Sequence, residues 1–348
     1  MIAGAGDFGP LSPKPKKYTR EPSKVSEVDD IILCIRATIG DLNWSDKAYC
    51  LGRGVAGLRP RADKLDRHFL WHWLASQKDY LFSQGTGSTF KQISRSTIDD
   101  LSFPLPPLPE QKRIAAILDK ADFIRRKRQE AVRVTEELLR SVFLDMFGDP
   151  VGNPKGWKSA AFADVCETRL GKMLDTKQQT GEHQRPYLRN SNVQWDWIET
   201  SKLEQMDFDE KDRKTFSLIN GDVLICEGGE VGRAAIWRNQ LTECYFQKAI
   251  HRARPNQSLA LPEYVMFWLW FMSKNGGFKD HVTSATIAHL TGEKLKEIQM
   301  PLPPISMQHH FLKLYNSLSA LKTSTNAHQT QTDTLFNSLL RRAFKGDI

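Results

Sequence analysis

Along two long stretches of the chain, a helical stripe can be traced in steps of three and four. The first runs through Ile114, Ile117, Ala121, Ile124, Arg128, Ala131, Thr135, Leu138 and Val142, the second through Phe311, Leu314, Leu318, Leu321, Thr325, His328, Thr332, Leu335 and Leu339. Such spacing keeps one helix face largely apolar over about four heptads, the pattern of a coiled coil. Both stripes turn polar at their central heptads, where a buried polar group lowers stability but penalises slipped pairings. A proline-rich lead precedes each stretch, "FPLPPLPEQ" from Phe103 and "MPLPPISMQ" from Met300. Proline disfavours helix until its ring reaches a first turn. The pattern predicts helices from Glu110 to Phe147 and from Ser306 to Phe344, each about 55 Å long at ~1.5 Å per residue.

Shorter patterns repeat in step with these helices. "DDIILCIRATIGDLNW" from Asp29 matches "GDVLICEGGEVGRAAIW" from Gly221, pairing Asp30 with Asp222, Cys34 with Cys226 and Gly40 with Gly232. Each reads as a strand, a glycine turn and a second strand. "RHFLWHWLAS" from Arg67 matches "PEYVMFWLWF" from Pro262 as a short apolar helix, and the polar loop "GTGSTFKQI" from Gly85 matches "VTSATIAHL" from Val282. The period, 197 residues from Phe103 to Met300, far exceeds the roughly 20–50 residues of a solenoid unit. A domain followed by a helix has been duplicated, giving an α+β chain divided as 1–109, 110–148, 156–304 and 305–346. The second domain begins at the far end of the first helix, so the second helix pairs with the first only by running back antiparallel. One asymmetry is expected: "GAGDFG" from Gly4 aligns with "LRNSNV" from Leu188, so the segment from Gly156 has no counterpart in the first copy. The first domain should lack an edge strand and a basic loop.

Composition narrows the function. The 348 residues carry a net charge of +8, which favours a polyanionic partner. Basic side chains crowd the inferred loops: Lys16, Lys17, Arg36, Arg53 and Lys91 in the first half, and Lys172, Lys177, Arg185, Arg189, Arg233 and Arg252 in the second. Contacts from such groups to phosphates set orientation, while Asn190, Asn192, Gln194 and Gln247 are candidates for base edges. Any one of these cations also reads as a solvated surface charge. No catalytic set emerges: no phosphate-cradling glycine–lysine loop, no Asn/Asp-Pro-Pro-aromatic string and no Pro-Cys nucleophile occur. His68 and His72 have the spacing of helical zinc ligands, but Glu263 and Phe267 stand at their repeat positions, and no metal site is read here. Five cysteines without a C-x-x-C pair suit a reducing cytoplasm. The densest apolar run, "YVMFWLWFM" from Tyr264, is too short to span a membrane.

The duplicated "DDIILC" and "GDVLI" strands, "YLRNSNV" from Tyr187, "GTGSTF", and "PLPPLPEQKRIAAIL" with its degenerate copy "PLPPISMQHHF" together resemble the specificity subunits of type I restriction-modification systems. The resemblance covers most of the chain from Tyr18 onward. It implies two mixed α/β target recognition domains, the first N-terminally shortened, separated by two long antiparallel coiled-coil helices. It further implies a non-catalytic subunit that reads a bipartite site in double-stranded DNA and docks adenine-methyltransferase subunits, with restriction subunits as possible additions. S-adenosylmethionine and ATP are then expected in those partners and no cofactor in this chain. For helix pairing and docking it points to Ile114, Ile117, Ile124, Arg128, Leu138, Phe311, Leu314, Leu321, His328, Leu335 and Leu339. The alternatives are a stand-alone nuclease or methyltransferase with an unrecognised site, and a coiled-coil assembly protein that leaves DNA unread.

Overall fold

Both periodic stretches are helical in the computed structural model, which describes residues 1–175, 179–281 and 289–345, without the side chains of 326–330 and 345. Lys177, the His328 side chain and most of the loop from Val282 lie outside the described residues. Helix α4 (Leu108–Phe147) begins before Glu110, because Pro109 falls in the first turn, where its missing N–H has no intrahelical acceptor to lose. Its partner α9 spans Ile305–Lys345.

Two compact units divide the chain: Met1–Val132 with Ser324–Ile348, and Arg133–Thr323. Each unit therefore contains one domain and a part of both long helices. In the first, strands β1 (Ile31–Cys34), β2 (Leu42–Trp44) and β3 (Val55–Leu58) form an antiparallel sheet in the order β2-β1-β3. Helices α1 (Arg67–Ser76), α2 (Lys78–Ser83) and α3 (Arg95–Asp99) follow.

The second unit opens with β4 (Ser159–Ala161), α5 (Phe162–Val165) and β5 (Cys166–Leu170), then β6 (Gln184–Leu188), β7 (Val193–Gln194), β8 (Trp197–Ile198), β9 (Glu204–Asp207) and α6 (Glu210–Thr215). Next come β10 (Val223–Cys226), β11 (Ala234–Ile236), β12 (Tyr245–Phe246), β13 (Ile250–Pro255), α7 (Pro262–Lys274), α8 (Gly292–Glu297) and β14 (Gln299–Pro301). Its main sheet is β11-β10-β13-β5. The duplication is preserved in register: Cys34 pairs with Val55 as Cys226 pairs with Ile250. Among the described residues, no strand lies beside β3 as β5 lies beside β13. Gly40 and Gly232 close the matching turns at φ of 94° and 77°, where a Cβ would collide with Lys78 and Phe278 respectively.

The register of the N-terminal segment differs from the sequence alignment. Ile2 pairs in parallel with Leu51, and Gly52 donates its N–H to the Ile2 carbonyl, as Gln247 donates to Leu188. Ile2, and not Gly4, therefore occupies the place of Leu188.

Within each unit the helices run antiparallel. In the first, Ile114 and Leu118 of α4 share a core with Phe336, Leu340 and Ala343 of α9, and Phe344 meets Phe69 edge-on. In the second, Phe143 and Phe147 of α4 pack against Phe311 of α9 and Tyr264 of α7. The 197-residue offset maps Ile114 onto Phe311, Leu118 onto Tyr315, Leu139 onto Phe336, Phe143 onto Leu340 and Phe147 onto Phe344, so equivalent residues fill both cores. The buried stripe corrects the periodic one. Ile124, Leu138, Leu314, Leu321 and Leu335 are exposed, while Leu139, Phe143 and Phe336 are buried. A heptad template drifts by about 20° per repeat against a 3.6-residue helix, enough to move the buried face by one position. Arg128 does face the other helix, donating to Thr332 Oγ1.

What attaches each helix to its domain is a buried amide. Gln111 accepts the Asp66 N–H at 2.8 Å and donates to the carbonyls of Lys64 (2.9 Å) and Pro106 (2.8 Å). Gln308 repeats this, accepting from Leu261 (2.9 Å) and donating to Leu259 (3.0 Å) and Pro303 (2.9 Å). Neither glutamine side chain is available to a docking partner, since both are almost fully buried. A second matched pair, Arg59 on Asp30 and Arg254 on Asp222, forks onto a buried carboxylate with both oxygens engaged.

Replacing Gln308 by alanine should strand three backbone groups and lower unfolding free energy by about 2–4 kcal/mol. Urea denaturation of the full chain measures this, and Gln111→Ala should behave alike. Loss of under about 0.5 kcal/mol, the size of an ordinary surface substitution, would refute the fastening role.

Candidate nucleic-acid interface

Arg36, Arg53, Lys172, Arg189 and Arg233 lie in turns and loops at the ends of short strands, while Arg185 and Arg252 lie within strands β6 and β13. In the first unit Arg36 follows β1, with its guanidinium 5.7 Å from the centre of the Phe90 ring. Lys91 lies 4.7 Å from the Phe82 ring, and its carbonyl accepts the Ala37 N–H. Arg36 and Phe90 line a cleft of about 550 Å³, together with the small residues Ala3, Gly4, Ala5 and Gly54. Arg53, exposed, adjoins Gly54 at its rim. The structure thus brings Arg36, Arg53 and Lys91 to one region. Lys16 and Lys17 are exposed on the N-terminal segment, whose start is tied down by the Met1 ammonium on the Lys17 carbonyl.

In the second unit the corresponding turns are bonded to one another. Asn190 stands at the place of Gly4, and its Nδ2 donates to the Gly228 carbonyl at 2.9 Å. Arg233 donates to the Asn190 carbonyl at 2.8 Å, so the turn after β6 is laced to the turn after β10. Asn192 is buried and shapes its own turn, accepting from the Arg189 N–H and donating to the Glu199 carbonyl. It orders Arg189 and offers nothing to a base edge, which corrects its assignment as a reading residue. Gln194 donates to Ser191, and Gln247 bridges Lys172 through the backbone.

Several other cations have acidic partners that loop composition did not reveal. Arg189 pairs with Glu204, Arg185 with Glu243 and Lys172 with Asp212. Arg252 needs a stronger correction. It is 3% exposed on β13, donating to Glu167 and the Ser217 carbonyl at 2.8 Å each, and burial holds its pKa below the usual range. Arg252 joins β5 and the end of α6 to the sheet and is not presented to a phosphate.

Two polar constellations escaped the sequence reading. His72 Nε2 and His68 Nδ1 both meet Asp119 of α4, at 2.8 and 2.9 Å. Burial would raise the Asp119 pKa, but both histidines outweigh it and hold the carboxyl below its ordinary range. The four-residue histidine spacing was the signal, and its partner is a carboxylate on the helix. In the second unit Asp196, at the tip of the β7–β8 hairpin, accepts from the Tyr315 hydroxyl at 2.6 Å, and Arg238 reaches both Tyr315 and Glu263. This chain of contacts ties the hairpin next to Asn192 to helix α9. Asp196 has φ of 64°, a conformation no sequence pattern announced.

Comparison with known proteins returns one family. The family model of the type I restriction modification DNA specificity domain matches residues 20–133 and again 154–332. Among curated relatives, the EcoBI specificity subunit of Escherichia coli is 23% identical over 89% of this chain and 72% of its own. The EcoKI specificity subunit of E. coli K12 is 22% identical over 96% and 78%. A putative MjaX specificity subunit from Methanocaldococcus jannaschii reaches 34%, but across only 41% of this chain and 35% of its own. The crystal structure of the S subunit from M. genitalium superposes with a TM-score of 0.54 over 96% of this chain and 86% of that one, at 15% identity.

Two substitutions separate structural from surface roles. Arg252→Ala should lower unfolding free energy by about 2–3 kcal/mol through its lost buried bonds, whereas Arg53→Ala should stay within about 0.5 kcal/mol. Asp196→Asn should raise stability near neutral pH. Burial holds the Asp196 carboxyl above its ordinary range despite Tyr315, Lys322 and Arg238, so its ionised form disfavours folding once pH exceeds the unfolded pKa. Asparagine keeps an acceptor for Tyr315 and tolerates the left-handed backbone. The gain should vanish as pH falls below about 4, which thermal melts across pH will check.

Proposed function

Since the chain belongs to the type I restriction-modification DNA specificity family, we propose that it is the sequence-reading subunit of such a complex, without catalysis of its own. The observation that carries this reading is the family match on both copies of the duplicated domain, each of which the fold joins to parts of both long helices. Two related heads on a shared helix pair suit a split target in double-stranded DNA, each head reading one half. The excess positive charge supplies the sequence-independent attraction to phosphates.

Partners follow from the same reading. The family role calls for adenine-methyltransferase subunits, with restriction subunits as possible additions, and the helices retain apolar side chains to receive them. Phe123, Ile124, Leu138, Leu321 and Leu335 are exposed within their own units, an arrangement that favours a protein partner over bare solvent. S-adenosylmethionine and ATP would serve those partners, and this chain would need no cofactor. A cytoplasmic location fits a DNA-reading subunit, and no described helix is long and apolar enough to cross a membrane. A stand-alone enzyme and an assembly protein that ignores DNA gain no specific observation.

Coexpression with a cognate adenine-methyltransferase subunit, followed by single-molecule mapping of modified adenines, should reveal one bipartite motif. Random methylation, or none in an active complex, would sink the reading. In the same complex Arg53→Glu should weaken DNA binding about tenfold and flatten its salt dependence by roughly one phosphate contact. Equal binding by wild type and variant across a salt series would remove Arg53 from the interface.

A further inference from the structure

The turn after β1 and the turn after β10 are built on the same backbone bonds, yet they carry different side chains. Ile35 donates to Gly54 and accepts from Ile93, as Glu227 donates to Ala249 and accepts from Leu290. Two residues further on, Ala37 has φ of 64° and Gly229 of 77°, so both chains turn through the left-handed region at the same place. Glycine adopts that conformation freely and alanine does not, which makes the shared shape a property of the frame. Between these fixed points stands Arg36 in the first copy and Gly228 in the second. Phe90, whose ring lies against the Arg36 guanidinium, has Ile287 as its counterpart in the sequence. Both members of the pair belong to one copy alone.

Arg36 combines three features. Its backbone is held from the segment that carries Phe90, because Ala37 donates to the Lys91 carbonyl and Ile93 to the Ile35 carbonyl. Its charge has no acidic partner among the described residues, and Asp41, which lines the same cleft, is taken by Lys78 at 2.6 Å. Lys172, Arg185, Arg189 and Arg252, by contrast, are each paired with a carboxylate. Finally, its guanidinium lies 5.7 Å from the centre of a ring that is itself 57% exposed. An aromatic face restrains a guanidinium without using its N–H groups, so the planar fork is left for an outside acceptor. A flexible ammonium suffices for a phosphate, whereas a restrained fork suits two acceptors fixed in one plane. Guanine presents such a pair, O6 and N7, in the major groove of duplex DNA.

We propose that Arg36 is a specificity-determining residue of the first domain, reading one guanine at O6 and N7, with Phe90 as the positioning residue that holds its guanidinium. The inference rests on the reading of this chain as a DNA specificity subunit and deepens it by naming one residue, one base and one half of the target. The second domain, with Gly228 at that place, must draw its specificity from other side chains.

The complex of the full chain with a cognate adenine-methyltransferase subunit tests this. Once the wild-type motif is mapped, methylation rates are measured on duplexes in which each guanine of the motif is replaced in turn. Wild type should discriminate by roughly ten- to hundredfold at one guanine of one half-site. R36Q and R36A should bring that ratio close to one and leave every base requirement of the other half-site as it was, which also reports that the variants fold and assemble. F90L keeps apolar bulk without the π face and should relax the same position by about two- to fivefold. Loss of rate by equal factors on all duplexes, the mark of a phosphate contact, would overturn the proposal, as would an unchanged motif in R36Q and R36A or relaxation in both half-sites. Equal discrimination by F90L and wild type would remove Phe90 from its role. A wild-type complex that methylates without a bipartite motif would count against the family role itself, whereas an intact motif with R36Q counts against Arg36 alone.

Discussion

A helix whose apolar stripe runs past the domain it leaves must bury the remainder against something else. That constraint underlies the rest of this structure. Helix α4 covers its own domain with Ile114 and Leu118, and it carries Phe143 and Phe147 at its other end, where the second domain receives them. Helix α9 does the reverse, giving Phe311 and Tyr315 to the second domain and Phe336 and Leu340 to the first. Neither domain completes its core from its own residues. The covalent order of the chain and the location of these side chains leave antiparallel pairing as the arrangement that satisfies both.

Given that pairing, the direction in which each helix leaves its domain becomes critical, and a single amide sets it. The prolines deny the lead a regular hydrogen-bond pattern, and Gln111 or Gln308 replaces what is lost by bonding to backbone on both sides of the junction. An amide serves better than a charge in this position. It satisfies donors and acceptors together and avoids the desolvation of a buried ion. The Arg59–Asp30 and Arg254–Asp222 forks perform the companion task at the start of each sheet. Repetition of both devices in domains that otherwise differ indicates that the frame was retained while the turns diverged.

The turns are where the domains part company. Small residues line a cleft beside Arg36 in the first, and Asn190 and Arg233 bond the matching turns together in the second. The two domains thus share a common frame and differ in their surfaces. Charge alone is a poor guide to those surfaces. Arg252 and Arg53 look alike in a loop census, yet one is buried under hydrogen bonds and the other reaches solvent.

By itself the sequence determined the duplication, the strand–turn–strand cores and the two long helices. These features depend on local periodicity and on residues with restricted backbone angles, properties carried by neighbouring positions in the chain. Tertiary structure alone decided which helix face is buried, since one residue of drift exchanges Leu138 for Leu139 and only packing distinguishes them. It also decided which cations are free, because an arginine's partner, such as Glu204 for Arg189 or Glu167 for Arg252, lies far along the chain and is brought near by folding. The histidine pair shows the same division. Its helical spacing was legible, but Asp119, which gives the pair its role, was found only when α1 met α4.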